Sequence, residues 1–271
     1  MTPSRYDTMF ERLRARGEGA FGAFLMLGDP DLETSAQLLN AAVEAGADML
    51  ELGIPFSDPI ADGPVIQAAA DRALKAGCTP ADCFALIGDL REQHPDVPVG
   101  ILTYANIVLA RGRPAFYGAG AQVGMDSLLV ADVPVFEAEP FVEAARAASV
   151  APVLIAATNT PDAVLEKIAA LGAGYTYCVA RAGVTGADEQ VRFDHGRLFE
   201  ALARFGAPPP VLGFGISRPE HVRAALAAGA AGVISGSAIV QRVADNLADP
   251  FAAEDAVASF VREMKAATKL A

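Results

Sequence analysis

The chain is 271 residues long, 52% hydrophobic and 20% charged, too apolar for a disordered segment and long enough to bury about 73% of its unfolded surface in one core. Its 21 Lys+Arg against 33 Asp+Glu leave a net charge of -12, a field that repels phosphate backbones and anionic headgroups, so no nucleic acid and no membrane surface is expected as a partner. Residues 226–240, the most apolar stretch, are interrupted by three glycines and two serines, and the N-terminus lacks an apolar run, so neither a membrane span nor a signal peptide is expected and the location implied is cytoplasmic.

The first predicted element is a helix whose apolar stripe of Tyr6, Met9, Phe10 and Leu13 suits a cap over one end of a larger fold. A strand follows at 20–27, then an amphipathic helix with Leu32, Ala36, Leu39 and Val43 on one stripe. From there one phrase recurs in altered form: a helix, a glycine, then an apolar run. It reads EAGADMLELG (44–53), QVGMDSLLVAD (122–132), ALGAGYTYCVA (170–180) and LAAGAAGVISG (226–236). Gly46, Gly124, Gly172 and Gly229 are expected to end the helices in the left-handed conformation, which glycine adopts without steric cost.

Further apolar runs at 97–103, 152–157 and 210–214 bring the predicted strands to eight, and helical stripes at 80–93, 136–148, 161–171, 193–205 and 218–228 alternate with them. The strands are too apolar for one wet face, so a parallel sheet covered by helices is predicted. Eight such units in about 250 residues fit a closed barrel. The expectation is an α/β fold, a single (β/α)8 TIM barrel domain over 1–271 with an N-terminal capping helix and extra helices. An open doubly wound sheet would carry a GxGxxG turn after strand one, where this chain has Leu27-Gly28-Asp29-Pro30.

In such a barrel the chemistry sits at the C-terminal ends of the strands. Glu51 alternates with Leu50 and Leu52 and so points into the barrel, where burial raises a carboxyl toward neutrality and suits proton transfer. A buried glutamate satisfied by its neighbours fits the same pattern. The loop that follows, stiffened by Pro55, Pro59 and Pro64, carries Asp58 and Asp62, which are equally ordinary turn-formers. Phe24, Leu102, Leu129, Ile155, Tyr177, Phe214 and Ile234 lie at strand ends and could wall a pocket for a flat ring, with Tyr104 and Tyr177 adding hydroxyls. Glycine-bearing loops at 181–186, 213–217 and 234–237 have the composition of an anion cradle. Lys75, Lys167, Lys265 and Lys269 fall on helices or the tail, against Schiff-base chemistry, and His94, His195 and His221 are scattered, against a metal centre. Cys78, Cys83 and Cys178 are expected to be reduced thiols packed as small apolar groups.

The run ELGIPFSDPIADGPVIQ (51–67), with LGDPD (27–31), VADVP (130–134), GVTG (183–186), GFGIS (213–217) and ISGSAIV (234–240), closely resembles the tryptophan synthase alpha subunit family. The resemblance implies a (β/α)8 barrel that cleaves indole-3-glycerol phosphate to indole and glyceraldehyde 3-phosphate. It makes Glu51 and Asp62 the catalytic pair, assigns Gly186, Gly215, Gly236 and Ser237 to the phosphate, and places Gly183 and Thr185 on a closing lid where Thr185 would bond Asp62. It also implies docking, as an αββα assembly, on a beta subunit that holds pyridoxal phosphate, so that this chain needs no cofactor and no metal. The 55–62 loop, Asn106 and Asp132 to Pro134 would face that partner. Ala182 and the segment ATNTPDA (156–162) depart from the pattern. A free-standing lyase, a non-catalytic activator of a beta subunit and an unrelated phosphate-binding barrel such as an isomerase remain the competing readings.

Overall fold

The computed structural model describes residues 3–179 and 195–269. Its strands are β1 (Ala20–Met26), β2 (Met49–Gly53), β3 (Val99–Thr103), β4 (Ser127–Val130), β5 (Ala151–Pro152), β6 (Leu154–Ala157), β7 (Thr176–Val179), β8 (Pro210–Leu212) and β9 (Gly232–Ser235). The helices are α1 (Arg5–Ala15), α2 (Leu32–Glu44), α3 (Pro64–Lys75), α4 (Pro80–Gln93), α5 (Ala105–Arg111), α6 (Arg113–Gln122), α7 (Glu139–Ala147), α8 (Asp162–Leu171), α9 (Gly196–Arg204), α10 (Pro219–Ala227), α11 (Ser237–Ala244) and α12 (Pro250–Ala266). None of the described helices is long and apolar enough to cross a membrane.

Every strand pairing is parallel, in the order β5-β4-β3-β2-β1-β9-β8-β7-β6. The two ends of that order are one stretch of chain. β5 and β6 are separated by Val153 alone, whose amide donates to the Leu128 carbonyl at 3.0 Å. The ring therefore has the eight positions of a TIM barrel, with the fifth strand interrupted: β5 ladders with β4, β6 with β7, and the β4 ladder stops at Leu128–Pro152.

The register fixes what points inward. Phe24 pairs with Glu51, Glu51 with Gly100 and Gly100 with Ser127, so these four share one row. Ser127 is bonded at 2.8 Å to the Tyr6 hydroxyl of α1. A Cβ on Gly100 would lie 2.6 Å from the Ser127 hydroxyl and 3.0 Å from that of Tyr6, so the space below Glu51 is filled by the N-terminal helix. The predicted stripe of Tyr6, Met9, Phe10 and Leu13 is buried, and a reciprocal cap between Ser4 and Asp7 starts the helix. Arg5 and Arg91 converge on Asp126 at 2.9 and 2.8 Å, tying this plug to the barrel.

Two local expectations are corrected. The buried face of α2 is centred on Ser35, Leu38, Leu39 and Ala42, leaving Leu32 at 38% exposure. Ser35 accepts from the Gly28 amide at 3.0 Å, which rotates that face inward. At the α8–β7 junction Gly172 is extended (φ -72), unlike Gly46, Gly124 and Gly229, which have φ of 106, 86 and 104. The Ala173 amide already bonds the Pro152 carbonyl, so the chain turns two residues later, at Gly174 with φ 76.

Candidate active site

Glu51 lies in the middle of β2 with 2% of its surface exposed. Its Oε1 accepts a hydrogen bond from the Tyr175 hydroxyl at 2.7 Å, and its Oε2 is buried with no hydrogen-bond partner among the described residues. Burial pushes its pKa up to about 7; the Tyr175 hydrogen bond opposes the rise and the negative charge of Asp62 adds to it. Near neutral pH this carboxyl both gives and takes a proton readily. Sequence reasoning missed Tyr175. The signal was there, because in YTYCV the alternation that turns Tyr177 inward turns Tyr175 the same way.

Asp62 sits at the end of the proline-stiffened loop, just ahead of the Gly63 cap and Pro64 that start α3. A turn closed by the Asp62 amide on the Pro59 carbonyl at 3.1 Å orients it. Its carboxylate accepts from the Tyr104 hydroxyl at 2.8 Å, and that hydroxyl accepts from the Ala61 amide at 3.2 Å. Tyr104, just past β3, is buried and packs on Phe56 with ring centroids 5.2 Å apart. Burial holds the Asp62 carboxyl above its usual range, with the Tyr104 hydrogen bond pulling against it. Burial also raises the Tyr177 hydroxyl, followed by the charges of Glu51 and then Asp62. The two carboxylates thus lie within electrostatic reach of one ring at the barrel mouth.

The expected apolar wall comes from different strands at inward register positions. Leu102 of β3 pairs with Leu129 of β4, and Ile155 of β6 with Tyr177 of β7. Phe24 stands in the Glu51 row, Ile234 pairs with Gly22 on the next row down, and Phe214 meets the Tyr177 ring edge-on at 6.2 Å. Gly213 makes room for that tyrosine, since a Cβ there would fall 2.1 Å from the Tyr177 hydroxyl oxygen. Gly213→Ala is therefore expected to displace Tyr177. Overpacking of this kind costs about 1–3 kcal/mol of stability, a melting shift of several degrees, and a pocket wall displaced by about 1 Å should lower kcat/KM by about 10-fold to 10²-fold. Unchanged kinetics would show that Tyr177 does not border the substrate.

Beside this wall the loop after β8 is strained. Phe214 (φ 68) and Gly215 (φ 75) are both left-handed, an unfavourable state for a phenylalanine. The buried Ser235 hydroxyl bonds the Ile216 carbonyl at 2.5 Å and holds the loop against the end of β9. Gly236 and Ser237 open α11, where no side chain among the described residues caps the first amides, so those donors are available to an anion. A Cβ on Gly236 would lie 3.6 Å from that of Phe24, which places this helix start next to the apolar wall. Thr185, Gly186 and Gly183 lie outside the described residues.

Among the described residues no cluster of His, Cys, Asp and Glu could hold a metal ion. Lys75 pairs with Asp71, Lys167 with Glu139 beside the Phe136 ring, and Lys265 with Glu18 and Asp48. His94 bonds Asn40, and His221 contacts Ser217 and Arg218. Around the mouth the loops after β2 and β4 and the helix after β3 leave large apolar side chains uncovered: Ile60 is 72%, Phe136 67% and Leu109 48% exposed.

The likeness to known proteins runs along nearly the whole chain rather than one motif. The model of the tryptophan synthase alpha chain family matches residues 10–269. A tryptophan synthase alpha chain from Klebsiella pneumoniae is 52% identical over 267 residues, covering 98% of this chain and 99% of that one. Another, from Shewanella oneidensis, is 51% identical over 265 residues, 98% of this chain and 95% of that protein. Among solved structures, tryptophan synthase from Mycobacterium tuberculosis superposes with a TM-score of 0.88 at 27% identity over 99% of both chains. The tryptophan synthase complex of Pyrococcus furiosus superposes with a TM-score of 0.82 at 35% identity, over 92% of this chain and 98% of that one. With half of all positions shared along nearly its full length and the same barrel beneath them, the chain belongs to the tryptophan synthase alpha chain family, lyases of tryptophan biosynthesis.

Proposed function

We propose that this chain, as one barrel domain, cleaves indole-3-glycerol phosphate to indole and glyceraldehyde 3-phosphate and hands the indole to a tryptophan synthase beta subunit. The observation that carries the reading is the Glu51 carboxyl, enclosed, with one oxygen unpartnered among the described residues and a pKa raised to about 7. Protonated Glu51 gives its proton to indole C3, leaving a cationic ring whose nitrogen N–H is held by the Asp62 carboxylate. Glu51, now a carboxylate, takes the proton from the side-chain hydroxyl on the adjoining carbon. The O–H electrons become the aldehyde C=O, and the bond to C3 breaks and returns its pair to the ring. Glu51 ends protonated and the ring neutral, so no outside acid or base is consumed.

Gly215, Gly236 and Ser237, with Gly186, would hold the phosphate through backbone amides and one hydroxyl, and Thr185 would steady Asp62 when the lid closes. Phe24, Leu102, Leu129, Ile155, Tyr177, Phe214 and Ile234 would enclose the ring. This chemistry is acid–base throughout and needs no cofactor in this chain; pyridoxal phosphate would belong to the beta subunit. The uncovered Ile60, Leu109 and Phe136 around the mouth support a partner on that face, where indole would leave. Such a pathway enzyme would work in the cytoplasm.

The deciding assay mixes the chain with a beta subunit and follows indole release from indole-3-glycerol phosphate; no release would sink the reading. Asp58, on the exposed part of the 55–62 loop, is expected to matter to the partner. Asp58→Ala should weaken activation by the beta subunit more than binding of indole-3-glycerol phosphate, and equal loss in both would count against an interface role.

A further inference from the structure

Cys78 and Cys83 take no part in the chemistry above. Cys78 stands in the turn between α3 and α4, and Cys83 lies in the first turn of α4. Their sulfurs are 3.6 Å apart, both thiols are free, and both residues are buried. Cys178, the third thiol, is enclosed in β7, where it donates to the Thr176 carbonyl of its own strand.

A disulfide places its sulfurs about 2.05 Å apart, so closure asks each sulfur here to move by about 0.8 Å, within reach of side-chain torsions. The residues flanking Cys78, Gly77 and Thr79, are exposed, so only a tight turn separates this thiol from solvent. Opening such a turn is a low-cost local fluctuation. Cys78, in the turn and 6% exposed against 0% for Cys83, is therefore the thiol that meets an oxidant first, and Cys83 the one that resolves.

We infer that Cys78 and Cys83 form a modifiable dithiol that closes to an intrachain disulfide when the chain meets a peroxide. The Cys78 thiolate attacks one peroxide oxygen, the O–O bond breaks, and the departing hydroxide takes a proton to leave as water, giving a sulfenic acid. The Cys83 sulfur then attacks the Cys78 sulfur, the S–O bond breaks, and the hydroxyl leaves with the Cys83 proton as a second water. Two thiols lose two electrons and two protons, and one peroxide becomes two waters. The reduced pair is the resting form.

Closure also has a neighbour to disturb. The Cys78 sulfur packs under Gly28, 2.5 Å from a Cβ built there, and its thiol points at the Leu27 carbonyl at 3.7 Å. The next residue, Asp29, takes a two-pronged bond from Arg72 of α3 at 2.7 and 2.8 Å. Drawing Cys78 toward Cys83 withdraws its sulfur from the floor of the turn that joins β1 to α2.

The test treats the folded full-length chain with a small excess of hydrogen peroxide and reads intact mass and peptide maps. The expected product is about 2 Da lighter, retains one alkylatable thiol at Cys178, yields a peptide linking Cys78 to Cys83, and reverts with dithiothreitol. Cys83→Ser should instead trap a dimedone-reactive sulfenic acid at Cys78, and Cys78→Ser should leave Cys83 unreacted. Over-oxidation of Cys78 without a cross-link, prior loss of the Cys178 thiol, a disulfide between chains, or reaction only after unfolding would each overturn the proposal. The mapping on the unaltered chain decides the matter even if a serine variant folds poorly.

Discussion

Glu51→Gln is expected to lower indole release by about 10²- to 10⁴-fold, the usual worth of a positioned general acid–base group, with little change in binding of indole-3-glycerol phosphate. Glutamine keeps the volume and its carbonyl still accepts from the Tyr175 hydroxyl, so the barrel interior survives while the proton shuttle is lost. The pH profile carries the sharper form of the prediction. The reaction starts from the protonated acid, so kcat/KM should fall tenfold per pH unit above the pKa of about 7 and level off below it, down to the acid limb where Asp62 takes up its own proton. Removing the Tyr175 donor, which stabilises the carboxylate, should move the alkaline limb to higher pH in Tyr175→Phe. A profile that keeps its alkaline limb in place in Tyr175→Phe would mean the limb belongs to another group.

The same raised pKa has a consequence for stability. Burial lifts Glu51 from an ordinary 4.5 to about 7. A group whose folded pKa exceeds its unfolded value favours folding at low pH, and that advantage disappears as pH rises through the folded value. Ionising Glu51 inside the barrel thus removes about 3 kcal/mol between pH 4 and pH 8. Relative to the parent, Glu51→Gln should gain melting temperature across that window, most of it between pH 4.5 and 7.

How much of this was legible beforehand depends on which physical rule set each residue. Glu51 was readable because a period-two strand leaves one direction for a residue between Leu50 and Leu52, and the register with Gly100 and Ser127 keeps that direction. The strands and most helices followed from apolar runs and glycines, which local sterics enforce. The interruption at Val153 was not readable: the run Pro152 to Ala157 is uniformly apolar, and which neighbour each half pairs with is decided by closure of the whole ring. The α2 face was misplaced for a similar reason. Periodicity gives a stripe, but the hydrogen bond from Gly28 to Ser35, made across a turn, sets its rotation. Tyr104 was proposed only as a hydroxyl near the pocket. That it grips Asp62 and the Ala61 amide together is a contact across 42 and 43 residues, beyond the reach of spacing arguments.

That grip underlies the second large effect. Asp62→Asn is expected to cost about 10²- to 10⁴-fold in indole release, because the amide keeps a hydrogen-bond acceptor for the indole N–H but loses the negative charge that offsets the cation formed when C3 is protonated. Burial already pushes the Asp62 carboxyl toward its neutral form, and the Tyr104 hydroxyl is what opposes that. Tyr104→Phe should then act through Asp62: a smaller loss of about tenfold at neutral pH, worth one charged hydrogen bond, and an acid limb of the pH profile that shifts upward because Asp62 protonates more easily. If the two residues act as a unit, the double variant loses no more than Asp62→Asn alone. Losses that multiply, or an acid limb that stays in place, would mean that Tyr104 only packs against Phe56 and that the charge at position 62 is steadied by something else.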